Sequence, residues 1–224
     1  MIILAIDTSG KNGSLALARL TPGQSEIEVL EVVPLAGGTF SAQLVPQIAA
    51  LLEKHGFRKS DLAGFAVVSG PGSFTGLRVG LAAVKALAEI LHKPIAAVSL
   101  LEAVARSRTG QGRVFSVLDA GRGEVYVGDY ELGPPSRMNS ERLLTREELL
   151  AESRDRVVVT PDANVAEAVR AAGLRVEPVD HPRSEVIARL GWERIQRGET
   201  LRPEELEANY IRRSDAEIFS RPKP

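Results

Sequence analysis

The sequence predicts an α/β protein of two related lobes, each a mixed sheet with flanking helices. Three observations carry that prediction. The chain has 224 residues, a length that suits one large domain or two modest ones. A strand, an Asp, a Gly-containing tight turn and a returning strand occur twice, with Ile3-Leu4-Ala5-Ile6-Asp7 matched by Phe115-Ser116-Val117-Leu118-Asp119. After each unit, apolar runs of strand length alternate with helical patterns, which argues for helices packed on mixed sheets. The polar, Gly-bearing stretch 106–112 marks the boundary and gives lobes of residues 1–108 and 109–224.

The elements follow in chain order. Residues 2–6 are a continuous β-branched and aliphatic run, the mark of a strand buried on both faces. Residues 7–13 are dense in turn formers and 14–20 resume the apolar run, so the pair reads as a hairpin with a polar tip. Residues 27–35 form a third strand, broken by Gly37-Gly38, and Ser41 is placed to cap a helix over 41–55. A short aliphatic run at 62–68 leads into Ser69-Gly70-Pro71-Gly72-Ser73-Phe74-Thr75-Gly76 and a long helical pattern over 75–91, with Ser73 or Thr75 as its cap. A strand at 95–98 and a helix at 100–107 close the first half. The second half repeats the plan with strands at 114–118 and 124–132, a loop at 133–136, a helix at 145–152, a strand at 156–159, a helix at 163–172, a strand at 174–179 and a helix at 184–197. The polar tail 214–224 reads as a loose end or a contact arm.

Composition excludes several classes of function. With 44% hydrophobic and 25% charged residues the chain is ordinary for a globular protein, and at this length it buries roughly 70% of its unfolded surface. Zero Cys removes disulfide scaffolds, Cys-ligated zinc, iron–sulfur clusters and thiol nucleophiles. No apolar run approaches the ~20 residues that span a bilayer, and Met1-Ile2-Ile3-Leu4-Ala5-Ile6-Asp7 lacks a basic leader, so a cytoplasmic protein without signal peptide or membrane partner is expected. A formal net charge of −1 gives no long-range attraction for nucleic acid.

Two kinds of constellation bear on function. Asp7-Thr8-Ser9 and Asp119 with Gly121 each end a buried strand in a turn suited to phosphate, where backbone N–H groups face a concavity and a carboxylate holds magnesium. Two such turns would clamp a nucleotide, as in a small-molecule kinase; equally, each Asp simply opens a tight turn. The 69–76 segment lacks the Gly-Lys-Ser/Thr ending of a Walker loop. His55, His92 and His181 have no metal-pair spacing and read as structural. The helix over 75–91 is more informative, because its only charges are Arg78, Lys85 and Glu89. Gly76, Gly80 and Ala83 form a small-residue row that admits another backbone, and Val79 and Leu87 add apolar surface. On the preceding helix Leu44, Ile48, Leu51 and Leu52 face the core and Val45 and Ala49 are left over. Either this is a buried central helix pair or the two helices form a docking face.

At Ile6-Asp7-Thr8-Ser9, Ser69–Gly80 and Asp119-Ala120-Gly121-Arg122-Gly123-Glu124-Val125-Tyr126, the chain closely resembles the bacterial TsaB (YeaZ) family. The resemblance runs over essentially the whole length, weakest between 132 and 202 and returning at Ala208-Asn209-Tyr210-Ile211-Arg212. It implies the actin-like, Hsp70-like ATPase fold and a non-catalytic role in making tRNA threonylcarbamoyladenosine. It also implies binding to TsaD, the catalytic subunit, in a complex with the ATPase TsaE, homodimerisation when alone, and only indirect contact with tRNA. TsaD holds its metal with a histidine pair on its first long helix; here the comparable helix has no His before His55, so neither a metal nor another cofactor is expected. The implied partner interface comprises Leu44, Val45, Ile48, Ala49, Leu52, Gly76, Arg78, Val79, Gly80, Ala83 and Leu87, and a vestigial nucleotide site comprises Asp7, Thr8, Ser9, Asp119 and Gly121. On that reading Gly80→Arg or Val45→Glu abolishes complex formation and spares the fold. The enzymatic alternatives are an actin-fold nucleotide-dependent small-molecule kinase and a metalloprotease-like enzyme.

Overall fold

The structure, a computed structural model, describes residues 1–21, 23–24 and 26–212; the polar tail from 214 lies outside the described residues. Five strands, β1 (Ile2–Asp7), β2 (Gly13–Arg19), β3 (Glu28–Leu35), β4 (Leu62–Gly70) and β5 (Ile95–Ser99), form a sheet in the order β3-β2-β1-β4-β5. β1 runs antiparallel to β2 and parallel to β4; β2 pairs antiparallel with β3 and β4 parallel with β5. Helices α1 (Phe40–Lys54), α2 (Phe74–Leu91) and α3 (Leu100–Arg106) follow β3, β4 and β5.

The second half repeats this plan strand for strand. β6 (Gly112–Gly121), β7 (Glu124–Leu132), β8 (Arg137–Thr145), β9 (Val157–Thr160) and β10 (Val176–Pro178) form a sheet in the order β10-β9-β6-β7-β8. The pairing senses match those of the first sheet. Helices α4 (Arg146–Glu152), α5 (Ala163–Ala171) and α6 (Ser184–Arg197) occupy the equivalent places in the sequence. Such duplicated sheets are the actin-like, Hsp70-like ATPase fold.

Contacts divide the chain into two units, and the division is not sequential. The first unit holds Met1–Ala103 together with Pro182–Ala208; the second holds Val104–His181 and, of the described residues that follow 208, those at 209–212. A cut at 108/109 therefore assigns α6 to the wrong sheet. The reason is steric. β1 is buried at every position, so its sheet needs cover on both faces. Ile6 turns toward α2, where its side chain lies 3.6 Å from the Cβ that Gly80 lacks. Ile6 is paired with Val67, and the alternate row carries Gly64 and Ala66, which meet Ile195 and Gly191 of α6. Small residues on that row let α6 lie close, and a Cβ on Gly191 would overlap Ala66. The helix start is fastened to β2, where the Ser184 N–H donates to Ser14 Oγ at 2.9 Å and the Ser184 hydroxyl to Ser14 O at 2.6 Å.

Within the second unit, Phe115, Val117, Val125, Val127, Leu144, Leu149, Val158, Val165 and Val169 make one apolar cluster. β8 has no counterpart in the predicted elements. It is an edge strand whose residues are largely polar, so no apolar alternation announces it. At α1 the cap is Thr39 rather than Ser41, and the helix begins one residue earlier.

Candidate functional site

Asp7, Thr8 and Ser9 are each 2% exposed, and their polar atoms are turned inward. Asp7 Oδ1 accepts the Ser9 N–H at 2.8 Å and the Ser9 hydroxyl at 2.6 Å. The Thr8 hydroxyl donates to the Gly76 carbonyl at 2.8 Å, and Ser9 O accepts the Ser73 N–H at 2.6 Å. The turn is thus plugged by the start of α2. Glycines make this possible: a Cβ on Gly76 would overlap the Thr8 carbonyl, one on Gly80 the Thr8 hydroxyl, and one on Gly72 would sit 2.5 Å from Ser9 O. Ser73 caps α2, its Oγ accepting the Gly76 N–H at 3.3 Å.

The corresponding turn of the second unit is built differently. Gly121 and Glu124 pair across Arg122 and Gly123, both with positive φ (58° and 80°), the geometry of a two-residue type I′ hairpin. Asp119 Oδ1 accepts the Gly121 N–H at 3.0 Å; Oδ2 accepts the Asn164 amide at 2.6 Å and lies 3.5 Å from Arg146. Burial opposes ionisation of Asp119, but the Gly121 N–H, the Asn164 amide and the Arg146 guanidinium outweigh it and hold the carboxyl below its usual 3.8. Arg212 bonds to the Ala120 carbonyl at 2.9 Å and pairs with Glu124, which fastens the chain after 208 to this hairpin. Sequence reasoning missed Arg146 and Asn164; only their fold-mediated approach brings them to Asp119.

The helices α1 and α2 pack on each other and on the first sheet, and their exposure sorts the predicted interface residues into two sets. Leu44, Ile48 and Leu52 are at most 4% exposed, and Gly76 and Gly80 are buried against Thr8. These five belong to the chain's own core, so the expectation that Gly80→Arg spares the fold is corrected: the backbone that Gly76 and Gly80 admit is the turn at Thr8. Val45, Ala49 and Arg78 are exposed, and Val79, Ala83 and Leu87 half-buried. The structure adds Ala42, Phe74, Ala82, Ala86, Glu89 and Ile90 to the open side. Val45 is 61%, Phe74 40% and Ile90 74% exposed, and the Arg78 guanidinium lies over the Phe74 ring, 3.7 Å from its centroid. Large apolar side chains are thus left open on both of these helices.

Metal chemistry finds little purchase on α1, whose first carboxylate is Glu53 and which has no histidine. Among the described residues no three His, Asp or Glu side chains gather as ligands. His55 Nε2 lies 2.8 Å from Glu31 on β3, and His92 is the left-handed C-cap of α2. Among the described residues no helix is long and apolar enough to cross a membrane.

Comparison with known proteins extends this picture. The family model described as TsaD, tRNA N6-adenosine threonylcarbamoyltransferase, matches residues 32–160, more than half of the chain and a stretch that includes α1, α2 and the second hairpin. The tRNA threonylcarbamoyladenosine biosynthesis protein TsaB of Bacillus subtilis is 37% identical over 132 residues, 58% of this chain and 56% of that protein. Its namesake from Escherichia coli is 32% identical over 134 residues, covering 58% and 55%. The chain thus spans little more than half the length of these relatives. The solved structure of YeaZ from Pseudomonas aeruginosa superposes with a TM-score of 0.77 at 28% identity, over 93% of this chain and 99% of that one.

Proposed function

Because the chain belongs to the tRNA N6-adenosine threonylcarbamoyltransferase family, as a member of its TsaB (YeaZ) branch, we propose that it is a non-catalytic scaffold subunit in the synthesis of tRNA threonylcarbamoyladenosine. It acts in the cytoplasm by binding and activating a TsaD-type catalytic subunit, alongside a TsaE-type ATPase, and touches tRNA only through them. In the absence of the catalytic subunit it pairs with a second copy of itself.

The observation that carries this reading is the uncovered α1–α2 face, with Val45, Phe74 and Ile90 open to solvent. A catalytic subunit of the same family brings an equivalent helix pair, and four helices bury such stripes as a bundle. The state of the two turns favours the same reading over a kinase. Asp7 Oδ1 already accepts two bonds from Ser9, and both Asp119 oxygens accept donors from their own unit. A metalloprotease-like enzyme would need a ligand set that α1 does not supply.

Reconstituted threonylcarbamoyl transfer tests the proposal. Transfer is expected to require this chain, and Val45→Glu is expected to lose both co-elution with the catalytic subunit and activity while melting like the parent protein. Undiminished transfer without the chain, or co-elution of Val45→Glu at parental strength, would reject it.

A further inference from the structure

We propose that a groove at the C-terminal end of α2 binds a free α-amino acid with an aliphatic side chain, its ammonium taken by Glu89 and its carboxylate by Lys93. The inference goes beyond the docking role of the α1–α2 face and does not rest on it.

The groove has a volume of about 290 Å³ and lies between the last turn of α2 and the chain at 200–203, all within the first unit. That volume stands at the small end of ligand sites, which run from about 300 to 1,000 Å³. Its walls are fastened to each other. The Ile95 N–H donates to the Leu201 carbonyl at 3.2 Å and the Leu201 N–H to the Ile95 carbonyl at 2.8 Å. The 3-10 turn Pro203–Glu205 packs on α2. The groove is therefore formed before anything enters it.

Its charges select the ligand. His92 ends α2 in the left-handed conformation (φ 52°, ψ 51°) and turns the chain off the helical track. Lys93 thus makes no pair with Glu89, four residues before it, as it would on a continuing helix. Neither side chain has an ion-pair or hydrogen-bond partner among the described residues, and both line the groove. Arg202, the other fixed cation there, is already engaged by Glu204 at 3.1 Å and Glu205 at 2.9 Å. A simple anion would meet Glu89 as well as Lys93, and a simple cation the reverse. A small zwitterion answers both.

The helix end gives that zwitterion a direction. The His92 and Lys93 N–H groups both donate to the Ala88 carbonyl, so the carbonyls after Ala88 carry the negative end of the helix dipole and favour an ammonium beside Glu89. The Thr200 hydroxyl, also without a partner among the described residues, is a donor for the carboxylate. Pro94, Leu201 and Pro203 line the remainder with apolar surface, which suits an aliphatic side chain.

Proton NMR of the full chain tests the site, because the chain has three histidines and His92 lines the groove. Its imidazole signal is identified by its loss in His92→Asn, since asparagine also tolerates the left-handed cap. The probe is L-valine, compared at matched pH and ionic strength with isovalerate, which lacks only the ammonium, and isobutylamine, which lacks only the carboxylate. Valine is expected to move the His92 signal saturably while those of His55 and His181 stay in place. It should bind about tenfold or more tightly than either analogue, each of which gives up a charge-assisted bond. Lys93→Met should lower valine to the level of isobutylamine, and Glu89→Gln to that of isovalerate. Absence of a saturable shift with valine overturns the site, as does valine binding at parental strength in both variants. Isovalerate binding as tightly as valine makes the groove an anion site and overturns the zwitterion assignment, a comparison on the parent chain that needs no variant to fold.

Discussion

At the scale of single residues, the same glycines that look like an invitation to a partner are spent inside the chain. Gly80 illustrates this. A methyl group there would overlap the Thr8 hydroxyl, which is itself committed to the Gly76 carbonyl. Gly80→Ala is therefore expected to destabilise folding by about 1–3 kcal/mol through overpacking, seen as a lower urea midpoint with unchanged m-value. Asp119 makes a second residue-scale prediction. Its folded-state pKa lies below the usual value, so the ionised carboxylate favours the folded state. That contribution is present above the ordinary carboxylate pKa and is lost as pH falls through the depressed folded value. Asp119→Asn removes the titrating group, so the parent's stability should fall toward that of the variant as pH drops from 6 into the acid range. Parallel pH profiles for the two proteins would reject the assignment of Gly121, Asn164 and Arg146 as its stabilising partners.

At the scale of elements, α1 and α2 each divide between core and open surface with no gap between them, and neighbouring positions should behave in opposite ways. Leu44 is 1% exposed and Val45 61%. Leu44→Ala should cost about 2–5 kcal/mol of folding stability, the usual range for a buried leucine. Val45→Ala should stay within about 0.5 kcal/mol of the parent, with its effect appearing in partner binding. Thermal melts and a pull-down on the two variants would check the contrast. The sequence announced that these helices are too apolar for one side, because their few charges are visible in it. On α1 the spacing already turned Leu44, Ile48, Leu51 and Leu52 toward the core and left Val45 and Ala49 over, and the structure buries the first four and exposes the other two. On α2 it did not say which stripe the chain itself would cover, because Gly76 and Gly80 suit a partner's backbone as well as they suit the turn at Thr8. The polar strand β8 was illegible for a related reason: an edge strand with one paired neighbour can be built from Arg137, Asn139, Ser140 and Glu141 without an apolar alternation.

For the whole molecule, the duplicated strand-Asp-turn-strand plan was legible because buried strands are written in largely apolar runs, as at 2–6 and 114–118, each buried at every position. Which sheet a helix finally covers was not, because chain order carries no such information. Gly191 was the one available signal, a glycine inside a 14-residue helix that costs helix stability unless a close contact requires it; that contact is Ala66. The consequence is testable as a question of autonomy. A fragment of residues 1–108 has all five strands of the first sheet with α1 and α2, yet it leaves the Gly64–Ala66 row without Ile187, Ala188, Leu190 and Gly191, which are buried in the full chain. It also loses the Ser14–Ser184 bonds at the helix start. Such a fragment is expected to aggregate or to lack a cooperative urea transition, since one face of a buried sheet is returned to water. Joining residues 182–208 to it through a flexible linker should restore a single sharp transition. If residues 1–108 alone unfold cooperatively, α6 is an accessory on a sheet that is stable without it; if the joined fragment also fails, the first unit draws essential stability from residues outside Met1–Ala103 and Pro182–Ala208.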